Sequence, residues 1–367
     1  MTTATAESGL AVFRDEVRTL SPAYFALVMA TGIVSVAALR VGMTRVAFAL
    51  LAINAVAYAV LCVMTALRVL WYPSAFLDDL TDHRRGVGFF SLVAGTCVLG
   101  SQGILIAGGY RAATLLLGAG IVLWITLTYA IFTVLAVKRD KPALADGITG
   151  SWLLAVVATQ SIAVLSALLA SHWGQPQRLH ANFLALSMWL WGGMLYIWMI
   201  SLIFYRYMFF RFSPDDLEPP YWINMGAMAI STLGGATLIS NARDAWFLQS
   251  LLPFLEGFTI LFWATGSWWV PMLAILFAWR HGYRRLPLRY DPLYWGAVFP
   301  LGMYSVCTSG IADVMRLEFL AFIPRIFAYV ALSAWCLAAL GLARRIGGVL
   351  RRMRTRGGAD RTGYRAA

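Results

Sequence analysis

The chain has 367 residues, of which 60% are hydrophobic and only 13% are charged, and its mean hydropathy is +0.72. This composition excludes an ordinary soluble domain and is typical of a polytopic membrane protein. The net charge of +12 does not indicate nucleic-acid binding. The Lys and Arg residues lie between apolar runs and in the C-terminal segment, so they do not form the basic face of a nucleic-acid-binding domain.

Ten apolar runs are each long enough to cross a bilayer as a helix, which takes about 20 residues. They are 22–40, 46–70, 86–108, 112–137, 148–171, 180–205, 221–240, 251–279, 292–313 and 320–343. The linkers are too short to hold a soluble domain. We therefore expect an all-α membrane domain over residues 21–343, with a cytoplasmic N-terminal tail at 1–20 and a basic cytoplasmic C-terminal tail at 344–367. No cleaved signal peptide is expected.

The distribution of positive charge predicts the orientation of the chain in the membrane. Of the 29 Lys and Arg residues, 22 lie in segments on the side of the two termini and 7 in segments on the other side. Positive residues accumulate on the cytoplasmic side of membrane proteins. Both termini are therefore predicted to be cytoplasmic, in the plasma or inner membrane.

The odd-numbered runs open alike, which indicates an internal repeat. Their openings, YFALVMATGIVS, FFSLVAGTCVLG, SWLLAVVATQSI, YWINMGAMAIST and YWGAVFPLGMYS, begin at Tyr24, Phe89, Ser151, Tyr221 and Tyr294. This register aligns Gly32, Cys97, Thr159, Ala229 and Gly302, and also Ser35, Gly100, Ile162, Thr232 and Ser305. Each unit is one helical hairpin, so the repeats are parallel and related by an axis along the membrane normal.

Five parallel hairpins can close into a ring with quasi-five-fold symmetry around a central pore. The odd helices are rich in small residues and suit a crowded inner ring, whereas the even helices are bulky and suit the lipid side. The alternative is that the small residues only allow close helix packing, as small-xxx-small motifs do.

The stretch from Tyr294 to Thr308 indicates where the pore is blocked. Pro300 removes a backbone donor and bends a helix, and broken helices in membranes line cavities or pack in protein. We expect Phe299 to be an aromatic gate and Pro300, Gly302, Gly32 and Gly95 to be the kinks of the pore helices. The predicted lining of the substrate path is Thr31, Ser35, Thr96, Thr159, Ser231, Thr232, Tyr304 and Ser305.

The middles of the odd runs carry almost no charge, which argues against a carboxylate proton relay and against a cation path. Hydroxyls can donate to an anion without trapping it. Turn and capping signals such as Ser21-Pro22 and Asp291-Pro292 place five helix N-termini at the cytoplasmic mouth, where anions are favoured. The alternative is that the basic loops there only set topology.

The sequence gives no sign of an enzyme, a cofactor or a metal site. The four Cys and four His residues have no ligand spacing, and nucleotide-binding and metalloprotease motifs are absent. An ATP-driven pump in this chain alone is therefore excluded.

Three stretches, SPAYFALVMATGIVS, FWATGSWWVPML and DPLYWGAVFPLGMYS, resemble the TehA/Mae family of tellurite-resistance proteins and C4-dicarboxylate transporters, whose plant members are slow anion channels. The resemblance covers residues 20–345. It implies five hairpins around a pore, a homotrimer in the lipid bilayer and an aromatic gate, which Phe299 matches. It also implies an anionic substrate, either a C4 dicarboxylate such as malate or succinate or a small inorganic anion.

Three functions remain open from the sequence. The first is an anion-conducting pore gated by Phe299. The second is a proton-coupled dicarboxylate carrier, in which the substrate itself brings the proton. The third is a structural or sensor protein without transport.

Overall fold

The computed structural model describes residues 3–214, 216–287 and 290–359, and every regular element in these ranges is a helix. This confirms the predicted all-α fold. The α-helices are α1 (Thr3–Arg18), α2 (Ala26–Arg40), α3 (Thr44–Trp71), α4 (Pro73–Leu80), α5 (Phe90–Ala107), α6 (Tyr110–Val137), α7 (Leu144–Gly147), α8 (Leu154–Ala170), α9 (Gln177–Phe209), α10 (Ile223–Ser240), α11 (Trp246–Ser250), α12 (Leu252–Ala278), α13 (Trp295–Met315) and α14 (Phe322–Ala359).

Ten helical segments among the described residues are long and apolar enough to cross a membrane, as predicted. They are Pro22–Arg40, Thr44–Trp71, Gly86–Ala107, Tyr110–Val137, Gly150–Ala170, Gln177–Phe209, Pro219–Ser240, Leu252–Tyr283, Pro292–Met315 and Glu318–Met353. Each odd-numbered segment begins with a short 3₁₀ turn and continues as an α-helix.

The odd-numbered segments form a closed inner ring made of α2, α5, α8, α10 and α13. Each of these inner helices contacts the next in chain order, and α13 contacts α2. Their leading 3₁₀ turns form a second closed ring in the same order, made of Pro22–Phe25, Gly86–Phe89, Gly150–Leu153, Pro219–Trp222 and Pro292–Tyr294. Because the five starting turns meet one another, the inner helices all run in the same direction.

The even-numbered segments, α3, α6, α9, α12 and α14, form an outer ring, and each packs against the inner helix of its own hairpin. In the inner spans, 67% to 94% of the residues in the most apolar window are buried, against 17% to 44% in the outer spans. Bulky side chains such as Leu115, Phe209 and Leu337 point away from the protein on the outer helices. The outer ring therefore presents the apolar surface that lipid requires.

Glycine allows the inner helices to approach one another closely. A Cβ on Gly226 of α10 would lie 2.7 Å from Cγ of Pro300 on α13. A Cβ on Gly302 would lie 3.0 Å from a side-chain carbon of Ile33 and 3.3 Å from the backbone nitrogen of Val34, both on α2. Only glycine fits at such distances without a shift of the neighbouring helix.

Both ends of the described chain lie on the side of the 3₁₀ turns. Helix α1 packs along α14, and Glu16 accepts hydrogen bonds from Arg345 at 3.3 Å and Arg352 at 3.1 Å. The predicted tail at 1–20 contains α1, and the predicted tail at 344–367 begins inside α14, which continues to Ala359. Residues 360–367 of that tail lie outside the described part of the chain.

The structure corrects the repeat register in the third hairpin by one residue. Thr159, one residue before Gln160, bonds to the outer helix of the preceding hairpin, just as Thr31, one residue before Gly32, does. Gln160 is therefore the equivalent of Gly32, and Thr159 is the equivalent of Thr31. The error arose because the repeats were aligned on Ser151, whereas the aromatic residue at the matching position is Trp152.

Candidate functional site

A cavity of about 70 Å³ lies inside the inner ring, and all five inner helices contribute to its wall. One buried water needs a cavity volume of roughly 10–15 Å³, so this cavity has room for several waters or one small ligand. The lining residues are Ile33, Val36, Arg40, Val98, Ser101, Gln102, Leu105, Ser161, Val164, Leu168, Ile230, Leu233, Thr237, Met303 and Val306.

The lining residues fall into layers because successive contributors from one helix are three or four positions apart, on one face. The first layer contains Ile33, Val98, Ser161, Ile230 and Met303. The second contains Val36, Ser101, Val164, Leu233 and Val306. The cavity therefore follows the axis of the ring, toward the C-terminal ends of the inner helices.

One helical turn before the first layer, the same face of each inner helix carries a further layer of buried residues. Counting back four residues gives Met29, Ala94, Val157, Gly226 and Phe299, all buried. Four residues correspond to about 6 Å along the helix. Phe299 is the largest member of this layer and is fully buried, and Ala94 and Gly226 are its smallest members.

Pro300 lies inside α13, which is continuous from Trp295 to Met315. A proline cannot donate to the carbonyl four residues earlier, which here belongs to Gly296. The proline ring packs against Gly226 of α10. Pro300 thus fixes the contact between α13 and α10 directly beside Phe299.

The other predicted kink residues also lie inside continuous helices. A Cβ on Gly32 would be 2.7 Å from Val98, and a Cβ on Gly95 would be 3.3 Å from the carbonyl oxygen of Phe25. Together with Gly302, these glycines mark close contacts between neighbouring inner helices. The distances favour the close-packing interpretation that the sequence left open for small residues.

The predicted lining residues do not border the cavity, and most of their hydroxyl protons are already used. Ser35 donates to the carbonyl of Ala47 at 2.7 Å, and Ser305 donates to the carbonyl of Pro324 at 2.7 Å. Thr96, Thr159, Ser231 and Thr232 each donate to the carbonyl four residues earlier on their own helix. These six hydroxyls are therefore not available as donors to an anion in this structure.

Several of the same residues connect the inner ring to the outer ring in a repeated way. In every hairpin, an aromatic side chain of the outer helix forms a hydrogen bond with the inner helix of the next hairpin. The pairs are Tyr58 with Thr96 (2.9 Å), Trp124 with Thr159 (2.8 Å), Trp189 with the carbonyl of Ser231 (2.7 Å), Trp263 with Thr308 (3.0 Å) and Trp335 with Thr31 (3.0 Å). Tyr304 instead pairs with Ser267 at 2.7 Å.

The polar groups on the cavity wall are different ones, and sequence reasoning missed them. Ser101 and Thr237 donate to the carbonyls of Cys97 and Leu233, and Ser161 donates to that of Ala158. Arg40, at the end of α2, forms an ion pair with Asp313 at 2.9 Å and is 40% exposed. The sequence did contain a signal for this wall. The residues three or four positions apart from Phe299 onward lie on one face of α13, and the equivalent residues of the other four repeats include most of the cavity lining.

The opposite mouth of the ring is formed by the 3₁₀ turns, and three of them are capped by side chains. Ser21, Thr149 and Asp291 accept hydrogen bonds from Ala23, Ser151 and Leu293. Capping uses some of the backbone donors that would otherwise face an anion at this mouth.

Glu218 lies just before the fourth turn, outside the membrane-spanning segments, and forms an ion pair with Arg84. Burial raises the pKa of the Glu218 carboxyl, although Arg84 and Arg206 act to lower it. The described residues contain no group of three or more His, Cys, Asp or Glu side chains placed to hold a metal ion.

A closed ring of five parallel hairpins around an axial cavity defines a multi-pass membrane protein with the architecture of a transport protein. Residues 19–343 match the sequence model of the SLAC1 family, described as voltage-dependent anion channel, and the chain belongs to that family. The resemblance to the related TehA/Mae proteins, predicted from three sequence stretches, is thereby confirmed.

Relatives of the chain include both bacterial and archaeal membrane proteins. An uncharacterized membrane protein of Mycobacterium tuberculosis is 36% identical over 158 residues, which cover 43% of this chain and 80% of that protein. Two uncharacterized transporters of Methanocaldococcus jannaschii are 24% and 25% identical over 324 and 325 residues. These matches cover 84% of this chain and 89% and 88% of the two transporters.

Proposed function

We propose that this protein moves anions across the membrane along the axis of the inner ring, and that Phe299 closes the path. The transported anions are C4 dicarboxylates such as malate or succinate, or small inorganic anions. Family membership and the names of the archaeal relatives support transport of anions as the general activity.

The observation that carries the proposal is the position of Phe299. Counting four residues back from Met303 on the cavity wall leads to Phe299, which is fully buried, in a layer where the neighbouring helices contribute small or medium side chains. A phenyl ring there blocks the axis with an apolar group that binds no ion. Rotation of the ring, or a small movement of α13, would open a path without breaking an ion pair.

The charge on the cavity wall also supports the proposal that the transported ion is an anion. Arg40 is the one charged residue among the lining residues given above, and it lies at the mouth. A cation path would favour rings of Asp or Glu. The carboxylate of Asp313 offsets Arg40 in part, so the wall attracts anions without holding them tightly.

The orientation and assembly of the protein are part of the same proposal. Both termini face the cytoplasm, in agreement with the excess of Lys and Arg on their side. The protein forms a homotrimer in the lipid bilayer, and each chain contains its own path. It needs no cofactor, and nucleic acid is not a partner.

Reconstitution into liposomes tests the function directly. Uptake of labelled malate should be compared with chloride and nitrate uptake, each with and without an imposed pH gradient. We expect flux down the anion gradient without a pH gradient. Saturable uptake that requires the pH gradient would instead establish the proton-coupled carrier. No flux of any of these anions through folded protein would overturn the proposal.

A further inference from the structure

We infer that the side-chain amide of Gln102 is an anion-binding group inside the central cavity, held in place by Asn54 and given room by Gly32. The inference rests on the proposed function, since it assigns the place where the transported anion pauses. Its ligand is a small anion that accepts a hydrogen bond, either an inorganic anion or one carboxylate of a C4 dicarboxylate.

Gln102 is fully buried on α5 and lines the cavity. Its oxygen Oε1 accepts a hydrogen bond of 2.7 Å from Nδ2 of Asn54, which is also fully buried, on the outer helix α3. Its nitrogen Nε2 has no hydrogen-bond partner among the described residues. A buried amide donor without a partner carries an energetic cost, and a ligand or water in the cavity would remove it.

Gly32 makes this arrangement possible. A Cβ on Gly32 would lie 3.0 Å from Nδ2 of Asn54 and 3.5 Å from Oε1 of Gln102. Any larger side chain at position 32 would therefore disturb the Asn54–Gln102 pair. Gly32, which the sequence suggested as a helix kink, leaves space for the hydrogen-bonded pair of Asn54 and Gln102.

Among the polar groups inside the cavity, the amide N–H of Gln102 is the hydrogen-bond donor that is left for an anion. The hydroxyls of Ser101, Ser161 and Thr237 already donate to carbonyls. Arg40 lies eight residues beyond Gly32 on α2, which corresponds to about 12 Å along the helix. An anion that enters past Arg40 would thus meet the Gln102 amide before it reaches the layer of Phe299.

The expected strength of anion binding at Gln102 suits a transport protein. A neutral amide binds an anion through a charge-assisted hydrogen bond, which is stronger than a neutral one but weaker than a buried ion pair. Such a site favours entry of the anion and still permits its release, as conduction requires. A buried Lys or Arg at the same place would hold the anion more tightly.

The test uses the full-length protein in liposomes with Phe299→Ala, so that the flux is large enough to titrate. In this background, Gln102→Met keeps the length of the side chain and removes its donor. We expect the half-saturating concentration of nitrate or malate to rise about tenfold, the loss of roughly one hydrogen bond to a charged group. Asn54→Leu should have a smaller effect in the same direction, because Asn54 only positions the amide.

Gln160→Met is the matched control. Gln160 is also a fully buried glutamine of an inner helix with one unpartnered atom, but it does not line the cavity. It should leave the half-saturating concentration unchanged. An unchanged value for folded Gln102→Met, or an equal shift for Gln160→Met, would overturn the inference.

Gln102→Glu provides a second test if Gln102→Met does not fold. The carboxylate keeps the oxygen that accepts from Asn54 and replaces the donor by an acceptor. At pH 8 we expect the half-saturating concentration of nitrate or malate to rise above that of the Phe299→Ala parent, and a value equal to or below the parent's would contradict the site. Absence of flux in the Phe299→Ala parent would instead reject the proposed function.

Discussion

The indole nitrogen of Trp335 donates a hydrogen bond of 3.0 Å to Oγ1 of Thr31, joining the last outer helix to the first inner helix. The two residues are 304 positions apart in the chain. Four equivalent bonds connect the other neighbouring hairpins, so this one closes the circle. The threonines that the sequence assigned to the pore therefore hold the ring together.

Thr31→Val should weaken the fold without affecting transport. The change leaves the Trp335 N–H without its acceptor, and interhelical hydrogen bonds in membranes contribute about 0.6 to 1.7 kcal/mol. We expect the free energy of unfolding in detergent to fall by that amount, while anion flux per folded molecule stays the same. Reduced flux through fully folded protein would place the hydroxyl on the path instead.

Thr126→Val is the control for Thr31→Val. Thr126 is exposed on α6 and donates only to the carbonyl of Val122 on its own helix, at 2.8 Å. Its replacement should leave stability nearly unchanged. The double variant Thr31→Val with Trp335→Phe should recover part of the loss, because neither partner then remains unpaired.

Phe299→Ala should raise anion flux in liposomes, because removal of the buried ring leaves a gap in the layer that we propose closes the axis. Flux of nitrate and malate is measured at matched protein density. The control is Phe262→Ala, on the outer helix α12, where the ring packs against Trp189 with centroids 5.4 Å apart. That variant should lose stability without gaining flux. Unchanged or lower flux in folded Phe299→Ala would reject the gate.

The sequence predicted the architecture well because the signals behind it are strong. A single sequence shows the ten apolar runs. It also shows a repeat unit with the length of one helical hairpin, and the aromatic residues with which the odd-numbered runs begin. The repeat also placed Phe299 and Pro300 on an inner helix. The helix boundaries differ mainly because α9 and α14 extend beyond their apolar runs, and because a further helical turn, Trp279–Tyr283, follows α12.

The lining of the path was harder to predict, because hydrophobicity does not distinguish the two faces of a fully buried helix. The inner helices are apolar and buried all around, so the side of each helix that faces the axis has no signature of its own. Hydroxyl residues looked like pore donors, although threonine in a helix often bonds to its own backbone. Gln102 became identifiable only when its partner Asn54, on another helix, was known.

Gly150→Ala should destabilise the ring of 3₁₀ turns. A Cβ there would lie 2.5 Å from the carbonyl oxygen of Pro220 and 2.7 Å from Cα of Tyr221, and backbone atoms cannot move aside easily. Overpacking of this kind costs about 1–3 kcal/mol. The midpoint of thermal unfolding in detergent is the measurement. Gly118→Ala, where no atom lies within 4 Å of the new Cβ, should not lower it.

Arg68→Met should lower the free energy of unfolding more than most single substitutions on the side of the protein where the two termini lie. Arg68 is buried and donates to the carbonyls of Arg18, Leu20 and Ala75 and to the carboxylate of Asp79. Breaking a buried ion pair by removing one partner costs about 3–5 kcal/mol. We expect little folded protein after extraction, assessed by size-exclusion chromatography.

Asp79→Asn is the companion to Arg68→Met, because it removes the charge that Arg68 faces and keeps the side-chain volume. It should be destabilising to a smaller degree, since the three carbonyl contacts remain. Arg84→Met removes the partly exposed ion pair with Glu218, and pairs near the surface contribute about 0–1 kcal/mol. Equal yields of Arg68→Met and Arg84→Met would show that the buried network is not important for folding.

Glu218 should give the protein a measurable pH dependence. Burial raises the pKa of its carboxyl in the folded state, so the folded protein holds this proton more tightly than the unfolded chain does. The contribution of Glu218 to stability is therefore greatest below its unfolded pKa and is lost as the pH rises through the folded pKa. Glu218→Gln removes this titration, so the stability of the variant relative to wild type should increase across that window.

The effect of Arg84 on the same carboxyl provides the check. Arg84 lowers the pKa of Glu218, so Arg84→Gln should raise that pKa further and extend the pH window upward. Unfolding midpoints of wild type, Glu218→Gln, Arg84→Gln and the double variant are compared from pH 4 to pH 8. If Glu218→Gln and wild type show parallel profiles, the Glu218 carboxyl titrates alike in the folded and unfolded protein. If instead Arg84→Gln shifts the window downward, Arg84 does not stabilise the Glu218 carboxylate.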